Sequence, residues 1–323
     1  VLQHPRFTLT VLDPASLPGR QVVGPLWSAF PAARRRLFHT SGSDDHLIAE
    51  VGGEAAMVPP LGDGGELDGT DVVIATVPLA PAAAATLLAW LRANPAAALV
   101  DLTQPGIAPD DSQPLLAAPP QGGRGTRWFH LAAPALWAPG RLLRALAPLA
   151  PTDAALTVLL PAADYGDAGI EELARQAASR LSGRATDAPA ALPGVLAFDA
   201  VPAAATTLGA LRAQLVRLFP GLPCRLAALH TGVFHGHAAA VAVRPAAAAS
   251  SARAASLLRG EPGVRMARRT ERPHLTTAVD SDEIVCAGLQ CEGGWVTAWV
   301  FADAARAGGG QVVVDTVAAV RAS

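Results

Sequence analysis

The hydrophobic pattern of this chain changes period several times. Phe7 to Leu12 (FTLTVL) is a short β-rich run, and Arg35 to Phe38 reads as a second strand. Asp71 to Val77 (DVVIATV) and Ala98 to Leu102 (ALVDL) are continuous apolar runs of the kind buried on both faces. Between them Pro81 to Ala93 is rich in alanine and leucine and is closed by Asn94-Pro95, which predicts a helix. Strand, helix and strand at this spacing form a parallel βαβ unit. Gln104 to Gly125, full of proline and glycine, reads as surface loop.

The second half lacks strict alternation. Ala155 to Leu160, Arg225 to Val233, Ala238 to Val243 and Trp295 to Phe301 read as strands. Gly169 to Arg180 is an amphipathic helix with Glu171 and Glu172 in its first turn, where the helix dipole favours carboxylates. Thr206 to Phe219 is a second helix, stopped by Pro220-Gly221. Pro245 to Ala255 carries a Ser250-Ser251 cap and reads as helix, as does Gln311 to Val320. The expected architecture is α/β. A Rossmann-like N-terminal domain spans residues 1–128 and is completed by a C-terminal helix, 307–323. An α+β dimerisation domain with a mixed sheet, 129–306, lies between.

Composition removes several chemistries. All 25 basic residues are arginine, so nothing that needs a lysine amine is available. A net charge of −2 and no long basic tract argue against nucleic acid held through phosphates. No apolar run reaches the ~18–20 residues that span a bilayer, and no signal peptide is evident, so a cytoplasmic protein without a membrane partner is expected. The three cysteines, Cys224, Cys286 and Cys291, read as reduced thiols.

The order of these pieces resembles the aspartate-semialdehyde dehydrogenase family, most specifically in the second half. Leu196 to Pro202 (LAFDAVP) looks like the family's LAFNxxP. Leu229 to Val243 (LHTGVFHGHAAAVAV) looks like VRVPVLRGHxxAVxV, and Asp282 to Gly288 like DEVxVGR. Trp299 to Asp303 (WVFAD) lies where the family has WVVAD. The resemblance implies an N-terminal domain for NADP, a C-terminal domain for substrate and dimerisation, a cysteine nucleophile, a histidine acid/base, and arginines and a lysine that bind substrate.

Most of those implied positions have changed. The family's GxTGxVG cofactor loop corresponds to Asp13 to Arg20 (DPASLPGR), where two prolines remove amide donors and Asp13 adds a negative charge. No bound cofactor is therefore expected. The NPNCST-like nucleophile loop corresponds to Ala132 to Pro139, leading into a helix from Arg141 to Ala147, and puts Leu136 or Trp137 at the cysteine's place. The phosphate arginine falls on Ile107, a glutamine on Leu160 and the substrate arginine on His230. Only His237 retains a catalytic residue type, as a vestigial acid/base.

Other constellations are weaker. His230, His235 and His237 form an H-x4-H-x-H set. In an extended strand 235 and 237 share a face suited to a metal, but the set is read as a remnant substrate pocket, with no metal assigned. Ser41 to His46 (SGSDDH) gathers serine, aspartate and histidine, yet triads are assembled by spatial neighbours, so this is read as a polar loop. Arg34-Arg35-Arg36 and Arg268 to Arg272 read as solvated charge. Trp295 and Trp299 are core or interface anchors, with core preferred. The expected function is a catalytically inactive relative with a binding, scaffold or assembly role. It pairs as a homodimer or with an active paralogue or another protein. The alternatives are an enzyme retooled around His230, His235 and His237, and a residual NADP-dependent dehydrogenase.

Overall fold

A computed structural model describes residues 7–51, 53–104, 106–107, 112–117, 127–268 and 270–322. The chain divides into two compact units, one of Val1–Ala132 with Gly309–Ser323, the other of Ala133–Gly308.

The first unit contains β1 (Thr8–Leu12), α1 (Leu17–Ala29), β2 (Arg34–Phe38), β3 (Leu47–Val51), β4 (Glu54–Val58), β5 (Val72–Ala75), α2 (Pro81–Ala93), β6 (Ala98–Asp101), β7 (Gln113–Leu115) and β8 (Trp128–Leu131). Six strands pair in the order β2-β1-β5-β6-β8-β7, all parallel. The fully apolar runs occupy the centre, and Val72 to Ala75 are all 0% exposed, as a parallel sheet covered on both faces requires. Helix α2 buries Leu87, Trp90 and Leu91, one stripe at helical spacing.

Three features of this unit depart from the expected pattern. Helix α1 is interrupted in sequence by Pro18, Gly19 and Pro25, yet it forms. Ser16 caps it and accepts from the Gly19 N–H at 3.1 Å, and Pro18 sits in the first turn, where its missing N–H has no intrahelical partner anyway. An antiparallel hairpin, β3–β4, stands apart from the main sheet. Strand β7 lies inside the segment expected to be loop, most of whose remainder lies outside the described residues.

The second unit contains α3 (Pro134–Ala145), β9 (Pro151–Leu160), α4 (Gly166–Leu181), β10 (Ala200–Pro202), α5 (Ala205–Leu218), β11 (Cys224–Thr231), β12 (His237–Pro245), α6 (Ser251–Gly260), β13 (Val264–Met266), α7 (Leu275–Ala278), β14 (Ile284–Glu292) and β15 (Trp295–Ala302). The seven strands pair as β10-β11-β9-β12-β15-β14-β13 in a mixed sheet. The anticipated Ser250 cap is present and accepts from the Arg253 N–H. A π-helical turn, Ala304–Gln311, leads into α8 (Val312–Ala322), so the terminal helix is not one regular α-helix from 307.

Helices α3, α5 and α6 cover one face of this sheet. Along β9, Ala154, Leu156, Val158 and Leu160 point to that face and are buried, while Ala155, Thr157 and Leu159 alternate outward. The outward face is apolar across strands. Thr157 lies opposite Ala240, which lies opposite Trp299. Trp299 is 44% exposed and stacks on Phe301 at 6.5 Å, so it is not a core residue as preferred above. It faces outward because β15 alternates and Val296, Ala298 and Val300 take the inner face. The segment read as solvated charge is ordered by Arg265, which pairs with Glu271 and Glu283, both at 2.8 Å.

Candidate functional site

The turn between β1 and α1 is closed on itself. Asp13 adopts φ 55°, and its carboxylate accepts from the Thr40 N–H at 2.9 Å and the Thr40 hydroxyl at 2.5 Å. Thr76 donates to the carbonyls of Leu12 and Asp13. Three backbone donors are committed too: Ser16 N–H to the Asp13 carbonyl, Gly19 N–H to the Ser16 side chain, and Arg20 N–H to the Ser16 carbonyl. A Cβ on Gly19 would lie 2.5 Å from the Asp13 carbonyl oxygen, so this glycine serves the turn's own packing. Arg36, from the basic triplet, is drawn away to the carbonyls of Glu66 and Asp68, and Arg35 stacks on Trp27.

In the second unit α3 begins at Pro134, seven residues ahead of the expected start at Arg141, so the segment read as a loop is already helix. Pro134 is compatible with a first turn, and the buried Leu136, Leu142 and Leu143 supply the apolar face. Leu136 and Trp137 are 0% and 4% exposed. The Trp137 indole packs so closely on Gly308 that a Cβ there would lie 2.8 Å from it. Arg141, ion-paired with Glu261, lies over the same indole.

The histidines meet a pair of residues that sequence reading missed. Leaving β9, the chain makes a short turn, Ala162–Tyr165, that presents Asp164 and Tyr165. His237, first residue of β12, places Nε2 3.0 Å from Asp164 Oδ1. A carboxylate only accepts, so Nε2–H donates, and in the neutral ring Nδ1 holds the lone pair. That Nδ1 is buried without a hydrogen-bond partner. His230, near the end of β11 and 2% exposed, has the Tyr165 hydroxyl 3.4 Å and 3.5 Å from its two ring nitrogens. Burial pushes the His230 imidazole down, against a smaller opposing pull from Asp164. Burial pushes the Tyr165 phenol up, and Asp164 adds to that. His235 lies in the loop before β12, so it does not share a strand face with His237. Among the described residues no three His, Cys, Asp or Glu side chains are placed to hold a metal. The signal for Asp164 and Tyr165 was their position just after an apolar strand, with Tyr165 the only tyrosine of the chain.

The remaining implied positions are apolar and structural. The Ile107 N–H donates to Asp101 Oδ2 at 2.8 Å, and its side chain packs against the first unit's core. Leu160 is 3% exposed.

The solved structures most useful for comparison cover nearly the whole molecule. Aspartate semialdehyde dehydrogenase II from Vibrio cholerae superposes with a TM-score of 0.82 at 17% identity, over 98% of this chain and 99% of that one. The chain has the aspartate-semialdehyde dehydrogenase fold. A probable aspartate-semialdehyde dehydrogenase from Pseudomonas aeruginosa gives a TM-score of 0.78 at 20% identity, covering 98% of both chains. The enzyme from Francisella tularensis gives 0.78 at 9% identity, over 98% of this chain and 100% of that one. No protein-family model matches the sequence, and no curated protein matches it. Among the described residues no helix is long and apolar enough to cross a membrane.

On this fold the β1–α1 turn is the place the sequence resemblance assigns to the NADP phosphates. Its residues do not fit them. Phosphate binding there needs free backbone donors at a helix N-terminus. Here those of Ser16 and Gly19 are used internally, Pro14 and Pro18 have none, and Asp13 carries a carboxylate.

Proposed function

We propose that this chain is a non-dehydrogenase protein built on the aspartate-semialdehyde dehydrogenase fold, with a binding, scaffold or assembly role in the cytoplasm. The observation that carries this reading is the β1–α1 turn, where the Ser16 and Gly19 N–H groups bond within the chain, Pro14 and Pro18 have none, and Asp13 adds a carboxylate. Trp137 and Leu136, buried where the resemblance puts the nucleophile, support it from the second unit. The open face of the mixed sheet, with Thr157, Ala240 and Trp299 side by side, is the surface through which two copies, or this chain and an active paralogue, pair.

Fluorescence titration with NADPH tests the reading. No binding up to millimolar cofactor is expected, and micromolar or tighter affinity overturns it. Phosphate-dependent oxidation of aspartate semialdehyde, abolished by one Cys→Ala change, would instead establish a residual dehydrogenase. For pairing, Trp299→Glu is expected to convert a dimer to a monomer in light scattering while the circular dichroism spectrum stays unchanged.

One observation favours a second reading, an enzyme retooled around the histidines: the Asp164–His237 hydrogen bond with its unpartnered Nδ1. The pair has the form of an oriented base. Histidine ring NMR distinguishes the two readings. A ligand-induced shift at His237 that is lost in Asp164→Ala supports the second.

A further inference from the structure

We propose that Ser41 and His39 form a nucleophile–base pair that hydrolyses carboxylic esters with apolar acyl groups. The Ser41–His46 run looked like a polar loop, and His46 is not the partner. The base is His39, just past the end of β2.

His39 is held on every side. Its backbone N–H donates to the Pro59 carbonyl and its carbonyl accepts from the Leu61 N–H, both at 2.9 Å. Its ring is 2% exposed. Nε2 lies 2.7 Å from the Asp45 backbone carbonyl. A carbonyl only accepts, so the proton is on Nε2 and the lone pair on Nδ1. Ser41 Oγ sits 2.9 Å from that Nδ1. A hydroxyl, a base within hydrogen-bond reach and a third group orienting the base are the parts an activated nucleophile needs. Ser41 is exposed, so an acyl carbon can reach it.

Two further features fit an ester. The residue after the nucleophile, Gly42, has φ 79°. Among the described residues the Gly42 and Ser43 backbone N–H groups have no acceptor in the protein, and such donors stabilise an oxyanion. On the hairpin that follows in sequence, Ile48 on β3 and Met57 on β4 lie opposite each other and are 85% and 67% exposed. This is exposed apolar surface suited to an acyl chain, and Ser41 itself follows the carboxyl end of β2 in the parallel sheet, where such folds bind ligands.

The reaction balances with water as the only co-reactant. Ser41 Oγ bonds to the ester carbonyl carbon and its proton passes to His39 Nδ1. The carbon–oxygen bond to the alcohol breaks, and the alkoxide takes that proton. Water, deprotonated by the same Nδ1, then cleaves the acyl-serine, releasing the acid and restoring the hydroxyl.

The inference is independent of the reading above, since NADPH binding would overturn that one and leave this one standing. The test uses the purified full chain, a fluorophosphonate probe and p-nitrophenyl butyrate. The expected results are one covalent adduct mapped to Ser41 by peptide mass, and hydrolysis reduced about 10²-fold or more in both Ser41→Ala and His39→Gln. Ser41 is exposed, so its alanine variant folds even if the buried His39 variant does not. An adduct at another residue, no adduct, or wild-type hydrolysis by Ser41→Ala overturns the proposal.

Discussion

Replacing Asp13 with alanine measures how firmly the β1–α1 turn is closed. The change removes the acceptor of two hydrogen bonds from Thr40 and leaves an alanine at φ 55°. A hydrogen bond to a charged group contributes about 1.5–3 kcal/mol, and the half-buried Asp13 belongs at the low end, so the pair accounts for about 3 kcal/mol. The left-handed backbone adds roughly 1 kcal/mol, because alanine lacks the short polar side chain that eases that conformation. The sum is about 3–4 kcal/mol, or a fall in Tm of about 6–16 °C at about 2–4 °C per kcal/mol. Asp13→Asn tolerates the same backbone and keeps an acceptor for the Thr40 N–H, so it loses about 1–1.5 kcal/mol. Thermal unfolding followed by circular dichroism and by tryptophan fluorescence gives both values. If Asp13→Ala lies within about 0.5 kcal/mol of wild type, the range of an ordinary surface change, the carboxylate does not hold the turn. The case against a phosphate there would then lose its main support.

Three other outcomes follow from the same structure. Trp137→Ala empties a site that is 4% exposed and should destabilise by about 3–5 kcal/mol in urea; a loss under about 1 kcal/mol would mean the indole is not packed as described. Burial pushes the Glu172 carboxyl up, but the N–H groups of Ala191, Ala190 and Leu192 and the Gln176 amide pull it further down, leaving it below the ordinary carboxylate range. Its stabilisation is therefore present above the unfolded pKa of about 4.3 and disappears as pH falls through the folded one. Urea midpoints from pH 7 to pH 3 should show wild type converging on Glu172→Gln in acid, and a constant gap would contradict the assignment. Burial pushes the Cys286 thiol up to about 12, so it should stay unmodified by a disulfide reagent at pH 8 until the protein is denatured. Labelling of Cys286 in the native protein, located by peptide mass, would refute that.

The fold was legible where one face or both faces are apolar. The β5 run of Val72 to Ala75 and the Ser250 cap need no tertiary information. Helix α1 was hidden because its two prolines and Gly19 lower local propensity, while its stability comes from the buried Val22, Val23 and Leu26. Hairpin β3–β4 was hidden because Ile48 and Met57 face outward, so no alternating pattern marks it. The candidate sites depend on residues distant in sequence. Asp164 meets His237, 73 residues away, and Thr40 reaches back 27 residues to Asp13. Ser41 was visible only as part of a polar loop, because its hydrogen-bond partner, His39, lies outside the Ser41–His46 run.

The two positions that the resemblance assigns to cofactor and nucleophile differ from simple vacancies. A site that only lost its ligands' partners would leave polar groups buried without bonds, each unfavourable by about 1–3 kcal/mol. At the β1–α1 turn the opposite is found, since Asp13, Ser16, Thr40 and Thr76 satisfy one another. At the start of α3, where the resemblance puts Leu136 or Trp137 at the thiol's place, both side chains are buried and the Trp137 indole fits against Gly308. Both positions are occupied by interactions that stabilise the fold. His237 Nδ1 is one of the buried side-chain atoms without a hydrogen-bond partner, and the exposed serine paired with a buried imidazole directly follows Thr40 in sequence. Packing that stabilises occupies the positions the resemblance gives to cofactor and nucleophile, whereas His237 keeps the residue type it gives to the acid/base and Ser41 has no counterpart in it. Chemical labelling of Ser41 and His237 therefore tests these two groups directly, beside the assay of semialdehyde oxidation.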